Sequence, residues 1–143
     1  MVEKSKVQDS SELSPSLNSK GECKTILYVD DNEDNQALVK RIIRDEINFE
    51  LISAEDGING IRLAEEHLPD LILMDINLPG MNGIEVFRRL RKIEATKDIP
   101  VWAVSANSFP PEIDSALEVG FDQYVVKPIN IRSFMERIHQ ELD

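Results

Sequence analysis

Asp30, Asp31 and Asp75, with Ser105 and Lys127, are the residues whose types could do chemistry together, because each stands where a short apolar run stops. Ile26-Leu27-Tyr28-Val29 stops at Asp30-Asp31, Leu71-Ile72-Leu73-Met74 at Asp75, Val101-Trp102-Ala103-Val104 at Ser105, and Tyr124-Val125-Val126 at Lys127. Brought to one edge, the carboxylates repel one another in a partly desolvated pocket and are tolerable when a cation reverses the local charge balance. All-oxygen donors without His or Cys favour Mg²⁺, with Mn²⁺ or Ca²⁺ also suited. Mg²⁺ leaves positions open for water or phosphate oxygens, which points to phosphoryl chemistry. A carboxylate at a strand end can attack a phosphoryl group and form an acyl phosphate. Lys127 would neutralise charge on the transferred oxygens and Ser105 would orient them. No general base for hydrolysing an external substrate is evident, so the expected reaction is on the protein itself.

Collecting those groups requires parallel strands. Leu71 to Met74 is too short and too evenly apolar for an amphipathic helix, and Pro79-Gly80 follows, so the run reads as a strand buried on both faces. Ile26–Val29, Val101–Ser105 and Gln123–Lys127 read as strands too, and Phe49–Ser53 as an alternating strand at an edge. Between them lie helical patterns. Asn32 caps a helix through Leu38, Val39, Ile42 and Ile43, and a second runs from Ile58 to His67 before Leu68-Pro69. Ile84, Val86, Phe87, Leu90 and Ile93 mark a third; Pro110-Pro111 opens a fourth, which Gly120 closes. Asn130 precedes the last, through Ile131, Phe134, Met135, Ile138 and Leu142. Strand and helix alternate five times, so the expected class is α/β, a doubly wound five-stranded parallel sheet with five helices and right-handed crossovers. Such sheets bind ligands outside the carboxyl ends of their strands, where all four polar endings fall.

Composition narrows the function. With 143 residues, 41% apolar and 30% charged, the chain fits one globular domain. A net charge of -11 argues against nucleic-acid binding, which needs a basic face. The single cysteine, Cys23, cannot form an intramolecular disulfide, and there is neither a membrane-length apolar run nor a signal core at the start. A cytoplasmic location without membrane insertion is the expectation. Residues 1–22 carry six serines and almost no large apolar side chains, so they are expected to form a disordered polar tail ahead of a domain over 23–143.

The acidic pair Asp30-Asp31, Asp75 in Met-Asp-Ile-Asn-Leu-Pro-Gly-Met-Asn-Gly, Ser105 in Val-Ser-Ala-Asn, Tyr124 and the Lys127-Pro128 pair occur jointly and in order. Over residues 24 to 142 the sequence thereby resembles the receiver domain of two-component response regulators, the CheY-like family. The resemblance implies a flavodoxin-like sheet of order 2-1-3-4-5 and a phospho-acceptor at Asp75. It implies Mg²⁺ held by Asp31, Asp75 and the backbone carbonyl of Asn77, with Asp30 helping, and a cis Lys127-Pro128 bond that aims the lysine inward. The implied donor is a phosphohistidine on a sensor histidine kinase or phosphotransfer protein. On phosphorylation Ser105 would approach the phosphoryl oxygens and Tyr124 would turn inward, reshaping the face of helix 4, strand 5 and helix 5 for a downstream protein target. Ser105 is smaller than the Thr of many members. The loop Asn107-Ser108-Phe109-Pro110-Pro111, with two prolines and an aromatic, predicts a stiffer output face.

The expected function is thus a single-domain response regulator, monomeric or weakly dimeric, that catalyses only its own phosphorylation and dephosphorylation and signals by conformational change or onward phosphotransfer. The alternatives are a phosphorylation-independent interaction module of the same fold and, less favoured, a small Mg²⁺-dependent phosphatase. Asn35 and Leu38, with the loop at Pro128, are expected to dock the donor. His67 and His139 read as solvated near helix C-termini, Trp102 as core, and Arg88, Arg89 and Arg91 as the wet side of the third helix.

Overall fold

The computed structural model describes residues 23–143, so the expected tail over 1–22 lies outside the described residues. Ten elements alternate along the chain: β1 (Lys24–Val29), α1 (Glu33–Arg44), β2 (Phe49–Ala54), α2 (Gly57–His67), β3 (Leu71–Asp75), α3 (Gly83–Lys92), β4 (Val101–Ser105), α4 (Pro110–Val119), β5 (Gln123–Val126) and α5 (Ile131–Leu142). The strands form one sheet of order β2-β1-β3-β4-β5, every neighbouring pair parallel. The order reverses between β1 and β3, which places the topological switch beside Asp30 and Asp75.

Side chains alternate across each strand, and both faces are apolar where helices cover both. Leu27, Val29, Ile72, Met74 and Ala103 pack with Ala64 of α2, Val86, Phe87 and Leu90 of α3 and Ala116 of α4. Ile26, Tyr28, Leu73, Trp102 and Val104 pack on the other face with Val39, Ile42 and Ile43 of α1 and Phe134 and Ile138 of α5. All five residues of β3 are buried, whereas the edge strand β2 is only patchily so. Trp102 is core, as expected.

Side-chain caps set where the helices begin. Asn32, Asp56, Asn82 and Asn130 each accept a hydrogen bond from the backbone N–H three residues on. Phe109 offers α4 no such bond, and Pro110 and Pro111 start that helix instead. Among the described residues no helix is long and apolar enough to cross a membrane.

Several local readings change. Lys24 already pairs with Phe49, so β1 begins two residues before Ile26. Ile93 caps α3 in extended conformation rather than continuing it, and β5 ends at Val126, leaving Lys127 just beyond the strand. Arg91 is not simply solvated: its guanidinium lies 4.6 Å from the Phe87 ring centroid and donates to the Ile99 carbonyl at 2.7 Å. His139 is not free either. Its ring bonds Asp143 and, at 3.0 Å, Glu46, and rests 5.2 Å from the Phe49 ring, tying α5 to the α1–β2 corner.

Candidate functional site

Register brings the acids together. Val29 pairs with Met74 across β1 and β3, so Asp30 and Asp75 follow on adjacent strands. Carboxylate oxygens of Asp30, Asp31 and Asp75 lie within 4.8 Å of one another. Asp30 and Asp75 are buried and Asp31 is exposed, so the cluster has a closed floor and an open mouth. Lys127 Nζ sits between the two buried acids, 3.2 Å from Asp30 Oδ2 and 3.3 Å from Asp75 Oδ2. The Lys127-Pro128 bond is cis.

The turn after Asp75 is held by α3 folding back against it. Gly83 opens α3 so close to the end of β3 that a Cβ there would stand 2.3 Å from the Asp75 carbonyl oxygen. Its N–H donates to the Ile76 carbonyl at 2.9 Å. A glycine at this position is what lets the helix seat against the acceptor's own backbone.

Asp30 is the most heavily bonded acid. Its Oδ1 accepts the Asn32 N–H at 2.9 Å; its Oδ2 accepts from Asn35 Nδ2 at 3.1 Å, from Lys127 Nζ, and from the Tyr28 hydroxyl. Burial opposes ionisation of Asp30, but Tyr28, Asn32 and Lys127 outweigh it and hold its pKa below the ordinary carboxylate value. Asp75 goes the other way. Burial and the neighbouring Asp30 charge raise its pKa, against the Asn77 N–H, 3.0 Å from Asp75 Oδ1, and Lys127. Burial, then the Asp30 bond and charge, push the Tyr28 phenol far above its usual range, so it serves as a donor.

Ser105 is buried at the end of β4, one residue past the Asp75–Val104 pair. Its Oγ accepts the Asn107 N–H at 3.1 Å, while the Asn107 carbonyl accepts the Tyr124 hydroxyl at 2.7 Å. Asn35 and Leu38 are half-buried and Pro128 and Asn77 exposed; Asn35 faces the acidic pocket and Leu38 packs against the α1–α5 core.

Sequence reading did not single out Tyr28, although the period of two along a strand puts residues 28 and 30 on one face. It missed Gln36, whose Nε2 donates to the carbonyls of Asp30 and Ala54 at 2.8 and 3.0 Å. It placed Asn107 in the loop after Ser105 but did not foresee that the Asn107 backbone joins Ser105 to Tyr124.

The donor set fits a hard divalent cation: clustered carboxylate oxygens, one of them open to solvent, with no nitrogen or sulfur ligand among them. Asp31, Asp75 and the Asn77 carbonyl would hold it, with Asp30 behind.

A parallel 2-1-3-4-5 sheet with an acidic triad and a lysine at its switch point defines an aspartate-centred phosphoryl-acceptor fold. The family model described as "Response regulator receiver domain" matches residues 26–139. The chain belongs to that family. It is 38% identical over 119 residues to the polar-differentiation response regulator DivK of Brucella ovis, covering 83% of this chain and 96% of that protein. Its structure is similar to the receiver domain of the sensor histidine kinase PA1611 from Pseudomonas aeruginosa, a structure with a magnesium ion coordinated in the active-site cleft. That match has a TM-score of 0.75, 29% identity and coverage of 82% and 96% of the two chains. It is also similar to the Vibrio cholerae chemotaxis protein CheY4, with a TM-score of 0.77, 25% identity and coverage of 84% and 99%.

Proposed function

We propose that Asp75 is the phospho-acceptor of this response regulator, taking its phosphoryl group from a phosphohistidine on a sensor kinase or phosphotransfer protein. The observation that carries this is the lysine shared between Asp30 and Asp75 at 3.2 and 3.3 Å, beside an exposed third carboxylate. A cation held by Asp31, Asp75 and the Asn77 carbonyl would offset charge on the phosphoryl oxygens. An Asp75 carboxylate oxygen forms the new O–P bond as the P–N bond to the donor imidazole breaks, and that nitrogen keeps the electron pair and picks up a proton. Lys127 is placed to move from the carboxylates to a phosphoryl oxygen, and the Ser105 hydroxyl to turn to another. The chain's catalysis is confined to its own phosphorylation and dephosphorylation.

Asp31 lines a groove of about 460 Å³ with Gln36, Ala37, Lys40 and Arg41 of α1, whereas Asn35 and Leu38 lie on the other side of that helix, toward Asp30 and the α1–α5 core. We assign donor docking to the Asn35 and Leu38 side of α1, together with the loop at Pro128. Signal leaves through a protein contact or onward transfer, in the cytoplasm, from a monomer or weak dimer. The intact acids and lysine argue against a phosphorylation-independent module, and no Gly-rich phosphate loop supports a small phosphatase.

The test is the intact mass of the chain after incubation with acetyl phosphate, with and without Mg²⁺, beside Asp75→Asn. One phosphoryl group added only when both Mg²⁺ and Asp75 are present supports the reading; no addition, or addition to Asp75→Asn, sinks it.

A further inference from the structure

We propose that Tyr28 is a positioning residue for phosphoryl uptake, one that keeps Lys127 from closing onto Asp30; this rests on the reading of Asp75 as acceptor. Tyr28 and Asp30 are both fully buried, and the phenol donates to Asp30 Oδ2 from within the core. That single oxygen also takes Asn35 Nδ2 at 3.1 Å and Lys127 Nζ at 3.2 Å. A carboxylate oxygen has two in-plane lone pairs, so three donors compete for it. The lysine makes no close bond to either acid and is shared between them, 3.2 Å from Asp30 Oδ2 and 3.3 Å from Asp75 Oδ2. Unopposed charge-assisted N–H···O bonds close to about 2.7–2.9 Å.

The consequence is a lysine held loosely between two acids instead of locked to one. Phosphoryl transfer requires the ammonium at the oxygens arriving on Asp75, so any extra hold at Asp30 must be broken during the reaction. Without the phenol, Oδ2 has only Asn35 and Lys127, the ammonium settles on Asp30, and its bond to Asp75 lengthens. The aromatic ring itself is core packing between β1, α1 and α5, which Phe preserves.

The experiment compares Tyr28→Phe with wild type in phosphoryl uptake from acetyl phosphate at saturating Mg²⁺, with Mg²⁺ affinity measured by calorimetry on the unphosphorylated protein. Uptake falls roughly three- to tenfold, the scale of one hydrogen bond, while the Mg²⁺ Kd stays within about twofold. In a Lys127→Met background the same substitution has no further effect, because there is no ammonium to misplace. Uptake within twofold of wild type overturns the proposal. So does an equal loss in the Lys127→Met background, or a loss of Mg²⁺ affinity in step with uptake, as general damage would give. A crystal structure of Tyr28→Phe decides independently of transfer: Nζ must draw toward Asp30 and away from Asp75, and an unmoved Nζ overturns the proposal. A wild-type chain that takes up no phosphoryl group sinks the acceptor reading alone, and the lysine position in the variant still judges this one.

Discussion

The Tyr124 hydroxyl donates to the Asn107 carbonyl at 2.7 Å, and the same residue's N–H donates to Ser105 Oγ at 3.1 Å. A hydroxyl expected to follow the phosphoryl group and an aromatic expected to turn are therefore joined through one loop residue. If Ser105 moves toward Asp75, the bond that orders Asn107 would break, and with it the anchor of Tyr124.

Tyr124→Phe removes one end of that connection. An exposed neutral hydrogen bond is worth about 0.5–1 kcal/mol net, so the loop opens about two- to fivefold more often. Hydrogen exchange at the amides of Asn107 and Phe109, which donate to Ser105 Oγ and Asn107 Oδ1, should quicken by that factor. Unchanged exchange would show that the loop is held by something else.

Asp75→Asn relieves a buried charge. Burial and Asp30 raise the Asp75 pKa, so its ionised form destabilises the fold at pH values above that raised pKa, and the penalty fades as the pH falls toward the ordinary value of 3.8. Without Mg²⁺ at pH 7.5 the variant should melt above wild type, with a gap that narrows on acidification. Adding Mg²⁺ should raise the Tm of wild type and leave that of the variant nearly unmoved. A variant that melts below wild type at pH 7.5 would contradict this.

His139 can serve both of its carboxylate partners, Asp143 and Glu46, only as a cation. Partial burial opposes its charge, but Asp143 and Glu46 outweigh that and raise its pKa above 6.5. A raised histidine pKa contributes stability that is fully present below the unfolded value and is lost as the pH rises through the folded one. His139→Gln should therefore lower the Tm at pH 5.5 and have little effect at pH 9. His139 and Asp143 are each over a third exposed and high salt should shrink the difference. A gap independent of pH would assign the role of His139 to packing on Phe49.

Leu38→Asp tests the docking side. Leu38 is half-buried on α1, one turn from Asn35, and packs at the edge of the α1–α5 core. Transfer from a cognate histidine donor should drop at least tenfold, the scale of losing one buried anchor at an interface, while uptake from acetyl phosphate stays within twofold. Equal loss with both donors would place the damage in the fold.

The period of apolar runs is a local property, and it sufficed for the doubly wound sheet, because a strand buried on both faces must be apolar throughout, as β3 is from Leu71 to Met74. The motifs sufficed for the site's composition: Asp30, Asp31, Asp75, Ser105 and Lys127 are strand-end residues, and parallel pairing collects strand ends. The sequence by itself determined which groups meet. What each group does with its neighbours was decided by the tertiary structure, because hydrogen-bond partners depend on sub-ångström placement across elements far apart in the chain. Spacing puts Tyr28 and Asp30 on one face but does not show the bond between them, and the Asn107 carbonyl under Tyr124 and His139 closing on Glu46 across 93 residues have no counterpart in it at all. Asp30 and Asp75 look alike as letters; burial and unequal donors make one a firmly ionised anchor and the other a carboxylate with a raised pKa beside a shared lysine.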